Sequence, residues 1–291
     1  MNKEKIYTYL LNRKLSESVI QQHIRHVEYF IEWSKSESLD HQRISYKELL
    51  TYVQHIKEKK YHTHTVNIKV DSVRKYCDYL IEEGIREDNP AKSLRIRGAV
   101  RKVLKDILTP NQMQEVYDRY SIKQDHYNPI YRFYHQRNIV MLGIIIQQAA
   151  HNGELKQMEP KDIDLNKGTI YIPGTGGSNG RTLQLHSSQI MPINNYLTTV
   201  RAILQPKADE LFPGKTYTVV SHMFKELKQY NPHLKNALHL RSSVIMNWIK
   251  TYNIRQVQYM CGHRNISSTE NYRQQNLEEM QNQLAKYHPF S

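Results

Sequence analysis

A run without a single polar side chain, at positions 139–146, limits the possible folds of this chain more than any other segment. A helix formed by this run has no polar face, so it cannot lie on a protein surface as an amphipathic helix. The run is also too short to span a membrane, because a spanning helix needs about 20 apolar residues. We therefore predict a helix that is buried at the centre of a globular domain.

One β region follows this run, and helical patterns surround it. Short runs rich in β-formers at residues 169–173 and 181–185 flank a loop, residues 174–180, that contains mainly Gly, Ser and Asn. Such a loop between two short strands is typical of a β-hairpin. Residues 162–165 are expected to begin the β region, and the helical pattern returns from Gln189 onward. This part of the chain is therefore predicted to be a mixed α+β domain.

The first hundred residues show only helical patterns. Apolar residues recur at helical spacing after Ser16 and Ser45, and a serine is a favoured first cap of a helix. We predict a bundle of about four helices over residues 1–94. The whole chain is thus expected to be mainly α, with a small β-hairpin sheet in its second part.

A basic segment at residues 95–106 separates the two predicted domains. Its periodicity is weak, and a charged segment tends to extend because its charges repel one another. We predict that it is a linker. The pair Thr109-Pro110 is typical of a helix start, so the second domain is expected to cover residues 107–291.

The charge balance favours a polyanionic partner. Lys and Arg number 41 against 28 Asp and Glu, which gives a formal net charge of +13. Such an excess indicates nucleic acid as a partner. The alternative is an ordinary basic surface without a ligand.

The cysteines and the N-terminus indicate the compartment. Cys77 and Cys261 are the only cysteines, and both lie in helical patterns. They are expected to be buried apolar groups in a reducing environment and not a disulfide pair. No apolar run is long enough for a membrane span, and the N-terminus lacks the apolar core of a secretion signal. The expected location is the cytoplasm, with no membrane partner.

Two segments near the C-terminus suggest a function. Residues 238–242 read Leu-His-Leu-Arg-Ser, residues 260–263 read Met-Cys-Gly-His, and Tyr272 follows His263 by nine positions. This arrangement resembles the signature of the tyrosine recombinase, or phage integrase, family. There a His-x-x-Arg helix start precedes Leu-Gly-His, and a nucleophilic Tyr follows nine positions after that His. The segment 153–165, the hairpin and the helical N-terminal domain, which resembles the family's SAM-like core-binding domain, extend the resemblance over nearly the whole chain.

The resemblance implies cleavage of duplex DNA without a metal or a cofactor. In the family, the Tyr attacks a phosphodiester and forms a 3′-phosphotyrosyl link. Two Arg side chains hold the phosphate oxygens, a hairpin Lys protonates the departing 5′ oxygen, and a His assists proton transfer. Tyr272, Arg241 and His263 match three of these positions.

Three other positions depart from the family pattern. His151 stands at the first Arg, Thr175 at the hairpin Lys, and Leu238 at the His of the His-x-x-Arg segment. A neutral His cannot replace the bidentate fork of an Arg, and loss of one transition-state donor costs about 3 kcal/mol. The sequence therefore predicts that strand cleavage is very slow or absent. His151 is either a satisfied core histidine or a protonated phosphate ligand, and His263 is either structural or functional.

Other basic or titratable residues are weaker candidates. Arg181 is expected to be a solvated hairpin charge and not a replacement general acid, because a guanidinium does not readily release a proton. His239 is expected to be exposed. The short pair His62 and His64 is too little for a metal site. The candidates for DNA contact are Arg181, Arg264, Arg273, Arg95, Arg97, Arg101 and Lys102.

Three functions fit these patterns. The first is a recombinase-family protein of a bacterial mobile element that acts in DNA integration or recombination with weak or absent cleavage, alongside an active relative. The second is an active recombinase with a rearranged site that uses His151, Arg241, His263 and Tyr272, and the third is a DNA-binding regulator on the same fold. The family assembles as tetramers that exchange C-terminal helices, so the resemblance implies an oligomer on DNA and makes Leu277–Tyr287 the candidate exchange segment.

Overall fold

The computed structural model of the chain describes residues 2–98, 106–122, 128–204 and 209–273. The chain divides into two compact units, Met1–Lys102 and Val103–Ser291. Each unit has its own hydrophobic core. The candidates Arg101, Lys102 and Leu277–Tyr287 lie outside the described residues, as does most of the predicted linker.

The first unit is helical, as predicted. Its core includes Phe30, Tyr52 and Tyr76, whose rings contact one another edge to face. Ser45 caps the third helix in a reciprocal capping box with Glu48. The helices are α1 (Lys3–Asn12), α2 (Glu17–Ser36), α3 (Tyr46–Glu58) and α4 (Thr63–Glu82).

The second unit packs its helices around the apolar run, which forms the buried C-terminal half of a long central helix. The prediction of a buried helix is thus confirmed. In the described residues, no helix is long and apolar enough to cross a membrane. The helices are α5 (Pro110–Ile122), α6 (Pro129–Gln148), α7 (Asn152–Gln157), α8 (Ser187–Asn195), α9 (Arg201–Leu204), α10 (Thr216–Leu227), α11 (Ala237–Thr251) and α12 (Ile254–Cys261).

The β region is a small antiparallel sheet between α7 and α8. Its strands, in order across the sheet, are β1 (Ile163–Asp164), β2 (Thr169–Ile172) and β3 (Arg181–Gln184). The pair β2–β3 is the predicted hairpin, with Ile170 opposite Leu183 and Ile172 opposite Arg181. A 3₁₀ turn (Pro160–Asp162) precedes β1, a π-helical segment (Tyr196–Val200) joins α8 to α9, and residues 266–273 are helical after α12.

Both cysteines are free and buried, one in each unit. Burial raises the pKa of the Cys77 thiol to about 11 and that of Cys261 to about 12. Thiols with such pKa values are almost entirely protonated near neutral pH, so they behave as small apolar groups.

Candidate active site

Glu154 is the centre of the candidate site. The central helix α6 ends at Ala149, whose left-handed backbone (φ 48°) turns the chain into α7. Glu154 lies in the first turn of α7 and accepts a hydrogen bond from the backbone N–H of His151 (2.9 Å). Its side chain is completely buried. A buried carboxylate needs charged partners, and the structure supplies two.

Arg181 and Arg241 both pair with Glu154. The Arg181 Nη1 atom lies 2.7 Å from Oε1, and the Arg241 Nη1 atom lies 3.3 Å from Oε2. Burial alone would raise the pKa of Glu154, but the hydrogen bond from Arg181 and the two positive charges lower it below its ordinary value. We call Glu154, Arg181 and Arg241 the inner cluster. The cluster joins the start of α7, strand β3 and helix α11.

Arg241 reaches the inner cluster from the first turns of α11. Its guanidinium also donates to the carbonyl oxygens of Ala149 and of Cys261, the latter at 2.8 Å from Nη2. Arg241 therefore ties the end of α6 and the end of α12 to helix α11.

The expectation that Arg181 is a solvated hairpin charge is wrong. Its side chain is 0 % exposed, and its guanidinium lies beneath the backbone of Gly262, where an added Cβ would come within 2.6 Å of Nη1. Because its charge is sequestered by Glu154, Arg181 offers no exposed donor to DNA. The pairing was hidden from sequence reasoning, since the two residues lie 27 positions apart.

The segment at the start of α11 also differs from its expectation. His239 is buried and not exposed: its backbone N–H bonds to the Asn236 cap, and its ring lies within the fold. Leu238, which stands at the family's His position, is 65 % exposed. A helix turns by about 100° per residue, so adjacent residues face different directions. The position of Leu238 therefore contributes no donor or acceptor side chain to the site.

His263 and Tyr272 lie against each other. Their rings stack with centroids 5.9 Å apart and an interplanar angle of 13°. The His263 Nδ1 atom is 2.9 Å from the hydroxyl oxygen of the buried Thr269. Burial, together with the charges of Arg241 and Arg181, lowers the pKa of His263 to about 4, so the ring is neutral near neutral pH.

His151 caps α7. Its Nδ1 atom accepts hydrogen bonds from the backbone N–H groups of Gly153 (3.0 Å) and Glu154 (3.3 Å), so the proton of the neutral ring is on Nε2. Nε2 lies 3.5 Å from Glu154 Oε1. Burial lowers the pKa of His151, although the charge of Glu154 opposes this. In this arrangement His151 is a neutral cap and not a cationic phosphate ligand.

The hairpin turn at residues 174–180 is attached to the segment that follows α12. The backbone N–H of Asn179 donates to the Gly262 carbonyl (2.8 Å), and Ser178 forms an isolated β-bridge with His263. Thr175, at the family's Lys position, is half-buried, and its backbone carbonyl accepts a hydrogen bond from Arg264 Nη2 (3.2 Å). The turn therefore lies beside the His263–Tyr272 stack.

The remaining described candidates for DNA contact lie on the surface. Arg264 and Arg273 are exposed in the second unit, and Arg273 is paired with Glu270 at 2.9 Å. Arg95 and Arg97 are exposed at the end of the first unit. Within the described ranges, no three His, Cys, Asp or Glu side chains are grouped so as to hold a metal ion.

Sequence reasoning did not single out Glu154 as the centre of the site. The available signal was its place three residues after His151, which is the spacing of a helix capping box. His151, Thr175, Arg241, His263 and Tyr272 all lie on segments that meet near this carboxylate or near the hairpin turn.

Comparison with known proteins identifies both units. Residues 106–279 match the model of the phage integrase family, and residues 6–84 match that of the phage integrase N-terminal SAM-like domain. A tyrosine recombinase of Pseudothermotoga lettingae is 23 % identical over 91 % of this chain and 90 % of its own length.

Solved integrases share the fold. The Tn1549 transposon integrase, in complex with a circular intermediate DNA, aligns with a TM-score of 0.67 at 16 % identity over 94 % of this chain and 95 % of its own. A lambda integrase tetramer bound to a Holliday junction aligns with a TM-score of 0.62 at 15 % identity, over 92 % of this chain and 75 % of that one. With the family match across the second unit, these results show that the chain belongs to the phage integrase family of tyrosine recombinases.

Proposed function

We propose that this chain binds duplex DNA and acts in DNA integration or recombination, with little or no strand cleavage of its own. One observation carries the proposal: of the two arginines that the family uses on the phosphate, only Arg241 is present, and the other position holds a neutral, helix-capping His151. The buried Arg181 does not compensate, because its charge is directed to Glu154. The hairpin turn has no Lys to act as the general acid.

DNA binding is supported by the net charge of the chain and by the solved structures that it resembles. The net charge of +13 favours a polyanion, and the similar Tn1549 and lambda integrases were solved with DNA. We expect this chain to contact phosphates through exposed Arg and Lys side chains, so its affinity should fall steeply with salt. We further expect assembly on DNA, as in the lambda tetramer, with copies of itself or with an active relative.

An active recombinase with a rearranged site is the second candidate. Its support is the stack of the Tyr272 ring on the His263 ring, together with the hydrogen bond of Arg241 to the carbonyl oxygen of Cys261, two residues before His263. In that mechanism the Tyr272 oxygen would attack the phosphorus, the bond from phosphorus to the 5′ oxygen would break, and water would protonate the departing oxygen in place of the missing Lys, while Arg241 would stabilise the added negative charge. His263 could accept the phenol proton, since it is neutral near neutral pH.

A suicide substrate separates the two candidates. A duplex selected by the protein from a random-sequence library would be nicked near each phosphate in turn, so that any cleavage releases a short strand and traps a covalent adduct. We expect binding without an adduct. An adduct that disappears in Tyr272→Phe, but persists in Tyr217→Phe at an exposed position, would overturn the proposed lack of cleavage. Absence of duplex binding would overturn the whole proposal.

A further inference from the structure

The positive charge that lies at the hairpin turn belongs to a residue outside the turn. Residues 174–180 contain no Lys or Arg. The turn nevertheless touches a guanidinium, because Arg264 crosses from the segment after α12 and donates from Nη2 to the Thr175 carbonyl oxygen (3.2 Å). The contact joins the position where the family has its turn Lys to an arginine 89 residues later.

Backbone contacts hold the segment that carries Arg264 against the hairpin turn. Asn179 donates its N–H to the Gly262 carbonyl, and Ser178 bridges to His263, the residue next to Arg264. Gly174 keeps the turn tight, since a Cβ there would lie 2.7 Å from the Gly180 nitrogen. These backbone contacts place the segment that carries Arg264 directly beside the turn, within reach of the Thr175 carbonyl oxygen.

The place that Arg264 reaches is the edge of the candidate active site. The Thr175 methyl group lies 3.7 Å from the position of a Cβ on Gly153, two residues after His151. On the other side, His263 stacks on Tyr272. We infer that Arg264 binds a DNA phosphate beside Tyr272 and supplies the positive charge that the turn itself lacks. The inference rests on the proposed binding of duplex DNA.

The surroundings of Arg264 suit a phosphate contact. Its side chain is exposed, and a guanidinium has five N–H donors, of which Nη2 shares one with Thr175. Among the residues that the structure describes, no carboxylate pairs with Arg264, whereas Glu270 neutralises the nearby Arg273. Arg264 thus keeps a net positive charge and several donors for a phosphate.

The chemistry of a guanidinium limits what Arg264 contributes. It stays protonated across the accessible pH range, so it stabilises negative charge but does not hand a proton to a departing 5′ oxygen. Arg264 would therefore strengthen binding at the site without restoring the general acid. This role fits a protein that holds the phosphate and cleaves it slowly or not at all.

The salt dependence of binding tests the contact. The probe is a duplex selected by the wild-type protein from a random-sequence library, and the variants are Arg264→Gln, Arg264→Lys and the control Arg255→Gln. Arg255 is also exposed, and it bonds to Gln258 and not to the turn. We expect Arg264→Gln to lower the slope of log affinity against log salt by about 1, the effect of one lost phosphate contact. Arg264→Lys and Arg255→Gln should keep the wild-type slope.

A second measurement tests the position. The phosphate that Arg264 contacts is the one whose ethylation weakens binding of the wild type but not of Arg264→Gln. The phosphate nearest Tyr272 is found by cross-linking Tyr272→Cys to thiol-tethered DNA, which is feasible because both native cysteines are buried. We expect the two phosphates to be the same or adjacent.

The outcomes are distinct. An unchanged slope in Arg264→Gln, with wild-type binding intact, would overturn the contact alone. Phosphates more than about three nucleotides apart would overturn its place beside Tyr272, since successive phosphates along a strand rise 3.4 Å. If the wild type binds no duplex, the proposed function fails and this inference with it.

Discussion

The inner cluster and the outer edge of the candidate site, which we define as Thr175 and Arg264, differ in what their arginines are free to bind. In the inner cluster, Arg181 and Arg241 are nearly inaccessible and share the carboxylate of Glu154. At the outer edge the Arg264 guanidinium is exposed, and among the described residues its hydrogen bond is to a backbone carbonyl. A buried charge that is removed from its partners is costly, whereas an exposed one is largely screened by water. The two buried guanidinium groups therefore depend on Glu154 for a counter-charge, whereas the guanidinium at the outer edge is open to a ligand.

The inner cluster should give the largest effect. Glu154→Gln leaves Arg181 and Arg241 buried without a counter-charge, and we expect a loss of about 3–5 kcal/mol in the free energy of unfolding. Urea-induced unfolding, followed by circular dichroism, measures it. The matched control is Glu270→Gln, which removes the half-buried partner of the exposed Arg273 and should cost about 0–1 kcal/mol. Equal losses in the two variants would remove the distinction between the inner cluster and the surface.

The outer edge should respond in activity and not in stability. Thr175→Lys places an ammonium at the turn where the family has its general acid, and we expect it to raise adduct formation on the suicide substrate to at least about a hundredfold above the detection limit that bounds the wild type. The control is Thr182→Lys, which adds the same charge on the same hairpin but at an exposed position on β3. An equal rise in the control would show that the gain comes from the added positive charge and not from a general acid at position 175.

The comparison also shows what the sequence could predict. The buried α6 and the β2–β3 hairpin follow from local patterns, namely a run without polar residues and a loop rich in Gly between two short strands. The spacing from His263 to Tyr272 likewise identifies a pair that stacks in the structure. These features depend on neighbours in the chain.

The burial of Arg181 and of His239 could not be predicted in the same way. Arg181 is buried because Glu154, on another element, neutralises it, and no local pattern records that pairing. Hairpin arginines are usually solvated, so the ordinary expectation fails here. Arg264 is the opposite case: the sequence makes it a candidate for DNA contact, but only the fold brings it to Thr175.

The packing between the inner cluster and the outer edge depends on Gly262. Its φ of +69° is left-handed, and a Cβ would lie 2.6 Å from Arg181 Nη1 and 2.7 Å from the Asn179 carbonyl oxygen. We expect Gly262→Ala to lower the free energy of unfolding by about 1–3 kcal/mol more than Gly168→Ala, because the added methyl group clashes with its packed neighbours. Gly168 has a similar φ of +63° but no atom within 4 Å of its Cβ position, so it isolates the backbone penalty. A similar loss in both variants would mean that Arg181 and the hairpin shift at little cost to make room for the added methyl group. Thermal unfolding measures the difference.

The smallest expected effect tests whether the positive charges of the inner cluster act on the neighbouring His263. Burial and the charges of Arg241 and Arg181 lower the pKa of His263 to about 4, whereas a histidine in an unfolded chain has a pKa near 6.5. Between these two values the unfolded chain binds more protons than the folded one, so the stability present above pH 6.5 is lost as the pH falls toward 4. His263→Gln should therefore flatten the dependence of stability on pH within this window.

The reference for this prediction is the wild type, measured under the same conditions as His263→Gln. The pKa of His26 in the first unit is also lowered to about 4 by burial, but His26 is present in every variant, so its contribution cancels in the comparison. Unfolding free energies at pH 7 and pH 5 give the result. If His263→Gln is as steep as the wild type, His263 takes up a proton in the folded protein without difficulty. Glu154 would then compensate the charges of Arg181 and Arg241 so fully that they do not act on His263. The inner cluster would differ even more from the outer edge, where the Arg264 charge is exposed.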